Sequence, residues 1–88
     1  MAAILRPLFP VGLDLVDRPV LVIGGRSEAV DKTRRLFSAQ ARITVVSPRA
    51  DDQILTWADA NRLRWHRRVV KSGDLSGCRL VLNTLDAD

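Results

Sequence analysis

Val20-Leu21-Val22-Ile23-Gly24-Gly25-Arg26-Ser27-Glu28-Ala29 is an aliphatic run that breaks on two glycines and passes straight into residues suited to a helix. Four consecutive apolar residues in so short a run read as a strand buried on both faces, the habit of parallel sheets. The junction after such a strand is where backbone N–H groups and a helix N-terminus can hold a pyrophosphate. The dinucleotide fingerprint there is G-x-G-x-x-G/A. Gly24 fills its first position and Ala29 its last, while Arg26 stands where the middle glycine belongs. Two consequences compete. The Arg26 side chain fills the space a pyrophosphate needs, which sterics favour in an unmodified geometry, or its guanidinium itself clamps a phosphate. Taken alone, Gly24-Gly25 is also compatible with nothing more than a tight strand-to-helix turn.

Working outward, Asp17-Arg18-Pro19 is a turn signal. Before it, Leu8 to Leu15 is apolar but interrupted by Pro10 and Gly12, so it reads as a short edge strand or an extended lead-in. Ser27 to Gln40 has helical spacing, with Ala29, Thr33, Leu36 and Phe37 on one face and Asp31, Lys32, Arg34 and Arg35 turned outward. Ser27 is the expected N-cap. Ile43 to Val46 is a second central strand, ended by Pro48. Asp51 and Asp52 open a second helix that offers Ile54, Leu55, Trp57 and Ala58 to a core and stops at Asn61. Leu63 to Arg67 alternates like a half-exposed edge strand, residues 71–77 read as loop and turn, and Arg79 to Asn83 is a fourth strand.

The order β-α-β-α-β-loop-β implies a parallel sheet with right-handed crossovers. The expected fold class is α/β, a Rossmann-like sheet of four to five strands in the order 3-2-1-4 with flanking helices. Residues 1–88 form one such domain, expected to be incomplete at its C-terminal side.

Composition narrows the partners. The chain has 88 residues, a net charge of +4, and arginine as its dominant basic residue. Its arginines are scattered, and its four aromatics do not form a stacking platform, so no nucleic acid is expected. An anionic small molecule uses the same charge equally well. No stretch approaches the ~20 apolar residues of a membrane span, and no membrane association is expected. The single Cys78 excludes an internal disulfide and a Cys-rich metal site. A cytoplasmic location fits that usage.

Few other residues invite chemistry. An acidic side chain at the end of the second strand normally holds the ribose; here that place is Val46-Ser47-Pro48-Arg49. Ser47 can still hydrogen-bond a ribose, and Arg49 tolerates a 2′-phosphate better than a carboxylate does. His66 has no ligand-spaced companion and reads as a surface histidine. Cys78 reads as an inert small hydrophobe. Asp86 and Asp88 fall on the carboxyl rim of the sheet, where paired carboxylates can do acid/base work or simply be solvated.

Pro7-Leu8-Phe9, Asp17 to Gly25, Ala29, Lys32, Ala41 to Pro48, Trp57 to Ala60, and Asp74-Leu75-Ser76-Gly77 through Leu82 together resemble the N-terminal domain of siroheme synthase, the precorrin-2 dehydrogenase/sirohydrochlorin ferrochelatase family. The resemblance implies a Rossmann domain that uses NAD to oxidise precorrin-2, a tetrapyrrole, to sirohydrochlorin. Bifunctional members also insert ferrous iron, and members are typically homodimers. By the same resemblance, pyrophosphate contacts fall on Gly24, Gly25, Arg26, Ser27 and Glu28. Adenosine-side contacts fall on Pro48 and Arg49, and nicotinamide-side contacts on Thr84 and Leu85. Three departures stand out. Arg26 replaces a third glycine, Leu85 replaces a threonine before Asp86, and the family's catalytic aspartate lies on a strand beyond Asp88. No catalytic residue and no metal ligand is therefore assigned. The alternative function is a degenerate, non-catalytic module with an assembly or regulatory role.

Overall fold

The computed structural model describes Pro7 and residues 9–85. Leu8 and the Asp86/Asp88 pair fall outside the described residues. The elements are β1 (Pro19–Ile23), α1 (Ser27–Ser38), β2 (Arg42–Val46), α2 (Asp52–Asp59), β3 (Arg64–His66), a 3₁₀ turn (Ser72–Leu75) and β4 (Leu80–Asn83). The four strands make one sheet in the order β3-β2-β1-β4. Every pairing is parallel, with Ile23 abreast of Val46 and Asn83, and Val46 abreast of His66.

Alternation along the strands sorts their side chains onto two faces. Val20 and Val22 of β1, Ile43 and Val45 of β2, and Leu80 and Leu82 of β4 meet α1 and α2 through Ala29, Leu36, Ile54 and Trp57. Phe37 and Trp57 tie the two helices together edge-to-face, with ring centroids 5.0 Å apart. Leu21, Ile23 and Val46 face the other way, and among the described residues no helix covers them. They are sealed instead by Val70 and Cys78 from the segment between β3 and β4, with Val81 beside them.

Helix boundaries follow the backbone. The first α-helical hydrogen bond of α1 runs from Val30 N–H to Arg26 O (2.9 Å). Arg26, with extended φ and ψ, is therefore the cap, and the expected Ser27 is already the first helical residue. At the other end Gln40 adopts φ +61°. Gln40 N–H then bonds Phe37 O and Ala41 N–H bonds Leu36 O, a Schellman closure that ends α1 at Ser38, two residues before the expected Gln40. Asn61 ends α2 in the same way, at φ +60°, as its residue type implies.

Two expectations about connections change. Residues 9–15 form no strand, so the lead-in description holds for the described part. The segment 71–77, expected as loop and turn, contains the short 3₁₀ helix. A bidentate pair holds this segment, with Arg68 Nη1 and Nη2 donating to the two oxygens of Asp74 at 2.7 and 2.6 Å. Lys71 N–H adds a third bond to that carboxylate at 2.7 Å.

Candidate nucleotide-binding cleft

The carboxyl ends of β1 and β2 open onto a cleft of about 480 Å³ lined by Gly24, Gly25, Arg26, Ser47, Pro48, Arg49 and Leu85. This is the end of an open α/β sheet where ligands bind, and the volume lies in the small-molecule range.

Each glycine is there for a different reason. Gly24 sits at φ +112°, and a Cβ on it would overlap Thr84 Oγ1. Thr84 is buried and held from below, since both its hydroxyl and its N–H donate to Ile23 O, at 2.7 and 2.9 Å. Gly25 has no unusual φ but is pressed from above. A Cβ on it would overlap Arg49 O, and it would stand 2.5 Å from Ser47 Oγ and 2.9 Å from Ala50 Cα. Asp51 N–H donates to Gly25 O at 2.7 Å, fastening the loop before α2 directly onto the glycine turn. The two glycines thus let β1, β4 and the β2–α2 loop converge with bare backbone between them.

The β2–α2 loop is itself pinned. Ser47 is buried and its hydroxyl donates to Arg49 O. Its N–H donates to His66 O (3.1 Å), and its carbonyl accepts from Trp65 Nε1 (3.2 Å). The Ser47 hydroxyl proton is therefore committed to the loop, which leaves that oxygen only as an acceptor toward a ribose. Arg26 and Arg49 are exposed on the cleft walls, and among the described residues no carboxylate lines the cleft. With Arg26 in place the cleft remains open, so the side chain does not fill it.

The ten residues expected at the site divide into three groups. Seven line the cleft directly: Gly24, Gly25, Arg26, Ser47, Pro48, Arg49 and Leu85. Thr84 lies behind Gly24 as a backstop. Ser27 and Glu28 stand on the first turn of α1 away from the lining, where Glu28 pairs with Lys32 four residues on (3.2 Å). His66 is exposed, and Cys78 donates weakly to Asp74 O at 3.3 Å. Among the described residues no group of histidine, cysteine and acidic side chains could hold a metal ion. No helix there is long and apolar enough to cross a membrane.

Sequence reasoning missed the fastening of Asp51 to Gly25 and the backstop role of Thr84, both contacts between distant segments. It also missed the Arg68–Asp74 pair. Hydrogen bonds from Arg68, then from the Lys71 backbone, hold the Asp74 carboxyl well below the usual carboxylate range. The same hydrogen bond to Asp74 raises the Arg68 guanidinium above its ordinary value.

Known proteins resemble the chain in sequence and in fold. A family model described as "Putative NAD(P)-binding" covers residues 11–88. The chain belongs to that family. It is 35% identical over 77 residues to the siroheme synthase of Methylococcus capsulatus, covering 88% of this chain and 16% of that protein. It is 27% identical over 79 residues to the precorrin-2 dehydrogenase of Bacillus subtilis, covering 90% of this chain and 49% of the relative. Among solved structures, SirC, a precorrin-2 dehydrogenase, superposes with a TM-score of 0.82 at 33% identity, over 86% of this chain and 38% of its own. The likeness to the N-terminal siroheme synthase domain inferred from the residues therefore holds in sequence and in fold. The chain spans about half the length of the Bacillus relative and about a sixth of the Methylococcus one.

Proposed function

We propose that the chain is the nucleotide-binding part of a precorrin-2 dehydrogenase of siroheme biosynthesis, with the cleft at Gly24-Gly25 holding NAD. The observation that carries this is the cradle itself. The cleft is lined by the bare turn Gly24-Gly25, where a Cβ would collide with Thr84 or the β2–α2 loop, and by Arg26 and Arg49. NAD, when bound, supplies a hydride acceptor for the tetrapyrrole. The backbone at Gly24 and Gly25, with the N-terminus of α1, receives the pyrophosphate. Arg26 neutralises its charge from the rim. Pro48 and Arg49 flank the adenosine, Ser47 accepts from a ribose hydroxyl, and Leu85 with Thr84 borders the nicotinamide side. No described residue is assigned to oxidising the tetrapyrrole, inserting iron or completing a homodimer.

A second reading concerns the cofactor. Arg26 and Arg49 face the cleft, and an arginine near the end of the second strand accommodates a 2′-phosphate. That observation favours NADP.

The test is turnover of the full-length protein with precorrin-2, followed as reduced nicotinamide at 340 nm with NAD and NADP in parallel. Sirohydrochlorin formation with NAD supports the main reading, and a preference for NADP that Arg49→Ala removes supports the second. An Arg26→Gly variant that alone binds cofactor, beside an inert parent chain, would establish the degenerate module instead.

A further inference from the structure

We propose that the face of β2 and β3 opposite the helices binds a compact multivalent anion, bearing phosphate or carboxylate groups, in a groove between Arg42 and Arg64. The groove measures about 400 Å³ and is lined by Arg42, Thr44, Asn61, Arg62 and Arg64, together with Pro19, Ile43 and Leu63. It begins at the N-terminal end of the strands. Four residue steps of ~3.3 Å along β1 put that end about 13 Å from Ile23, where the nucleotide cleft starts.

Sheet register explains why cations converge there. Arg42 pairs with Pro19, and Thr44 pairs with both Leu21 and Arg64. Residues abreast in parallel strands point to the same side, so Arg42, Thr44 and Arg64 share the face of Leu21, away from α1 and α2. The β3-to-β4 connection, residues 67–79, contains only a 3₁₀ turn. It covers Leu21, Ile23 and Val46 with Val70 and Cys78, and the groove beside them remains open.

These two arginines differ from others in the chain. Arg35 pairs with Asp31 and Arg68 with Asp74, while Arg34 and Arg62 lie over the rings of Trp57 and Phe37. Among the described residues neither Arg42 nor Arg64 enters an ion pair, and no carboxylate bounds the groove. Arg42 is also oriented. Its Nε donates to Asp17 O at 2.9 Å, which leaves both terminal nitrogens for a ligand. Two guanidinium forks, a threonine hydroxyl and an asparagine amide form a donor set suited to phosphate or carboxylate oxygens. The volume suits a small molecule.

Calorimetric titration of the full-length protein at fixed ionic strength tests this, with tripolyphosphate and citrate as separate probes. The expected result is one saturable site per chain for at least one probe, with the stronger probe naming the headgroup chemistry. Affinity should fall roughly tenfold or more in an Arg42→Gln/Arg64→Gln variant, whose NAD binding and circular dichroism stay at the parent level. Amide shifts should centre on Thr44, Asn61 and Arg64. The proposal is overturned by absence of saturable binding for both probes, by unchanged affinity in the double variant, or by shifts centred on Gly24, Gly25 and Arg49. Tighter binding of a 20-nucleotide single strand than of either probe, lost in the same variant, would also overturn it in favour of a nucleic-acid surface. None of these outcomes depends on the dehydrogenase assignment.

Discussion

Gly25→Ala is the substitution whose cost can be worked most fully from the structure. The added Cβ would run into Arg49 O, Ser47 Oγ and Ala50 Cα, and two of these three atoms are backbone. No flexible side chain can swing away to accommodate it, so residues 47–51 must move as a unit. Overpacking of this kind costs about 1–3 kcal/mol. The displacement also strains the Asp51-to-Gly25 and Ser47-to-Arg49 hydrogen bonds, each worth about 1 kcal/mol. Alanine recovers about 0.4–1 kcal/mol by restricting the unfolded chain. The net expectation is a loss of about 2–4 kcal/mol, a large share of a small domain's stability. Urea denaturation measures it, with Gly73→Ala as the control. A Cβ on Gly73 would meet nothing within 4 Å, so that variant should be neutral or slightly stabilised. A Gly25→Ala midpoint matching that of Gly73→Ala would refute the account of the glycine turn.

Three further outcomes follow from the packing and charges. Thr33 is fully buried on α1 and its hydroxyl has no hydrogen-bond partner, so Thr33→Val should raise stability by about 1 kcal/mol in the same denaturation assay. Ile54 is fully buried between the sheet and α2, and Ile54→Ala should cost about 2–5 kcal/mol, read as a lower thermal midpoint. The Asp74 carboxyl is depressed below its unfolded value of roughly 3.9. Its contribution is therefore complete above that pH and is lost as the pH falls through the folded value. Unfolding midpoints followed from pH 6 down to pH 2 should drop more steeply for the parent than for Asp74→Asn, and parallel curves would contradict the pairing with Arg68.

How far the chain could be read in advance depended on the range of the signal. Val20 to Ile23, Ile43 to Val46 and the helical spacing of Ala29, Thr33 and Leu36 are local patterns, and each became the element expected. Strand order followed from the pattern of a mononucleotide-binding half once those elements were placed. Asn61 ended its helix because a left-handed residue was needed there. The misplacements were equally physical. Ser27 is a good capping residue by type, yet the chain leaves Gly25 extended for one residue more, and Arg26 takes the cap. At the site, seven of the residues expected at the cleft do line it, because a strand-turn-helix junction brings its own residues together. Their restraints were invisible, since Thr84 under Gly24 and Asp51 on Gly25 join segments far apart in sequence. The open state of the cleft beside Arg26 was likewise undetermined by residue type, because the same side chain could fill the cleft or border it.

The central claim is that Gly24-Gly25 cradles a dinucleotide with Arg26 on its rim. Titration of the full-length protein with NAD, monitored by calorimetry and by backbone amide shifts, tests it most directly. The account predicts one site per chain, shifts concentrated at Gly24, Gly25, Arg26 and Arg49, and loss of binding in Gly25→Ala under conditions where that variant remains folded. Absence of binding to NAD and NADP alike, or shifts that leave the glycine turn untouched, would contradict it.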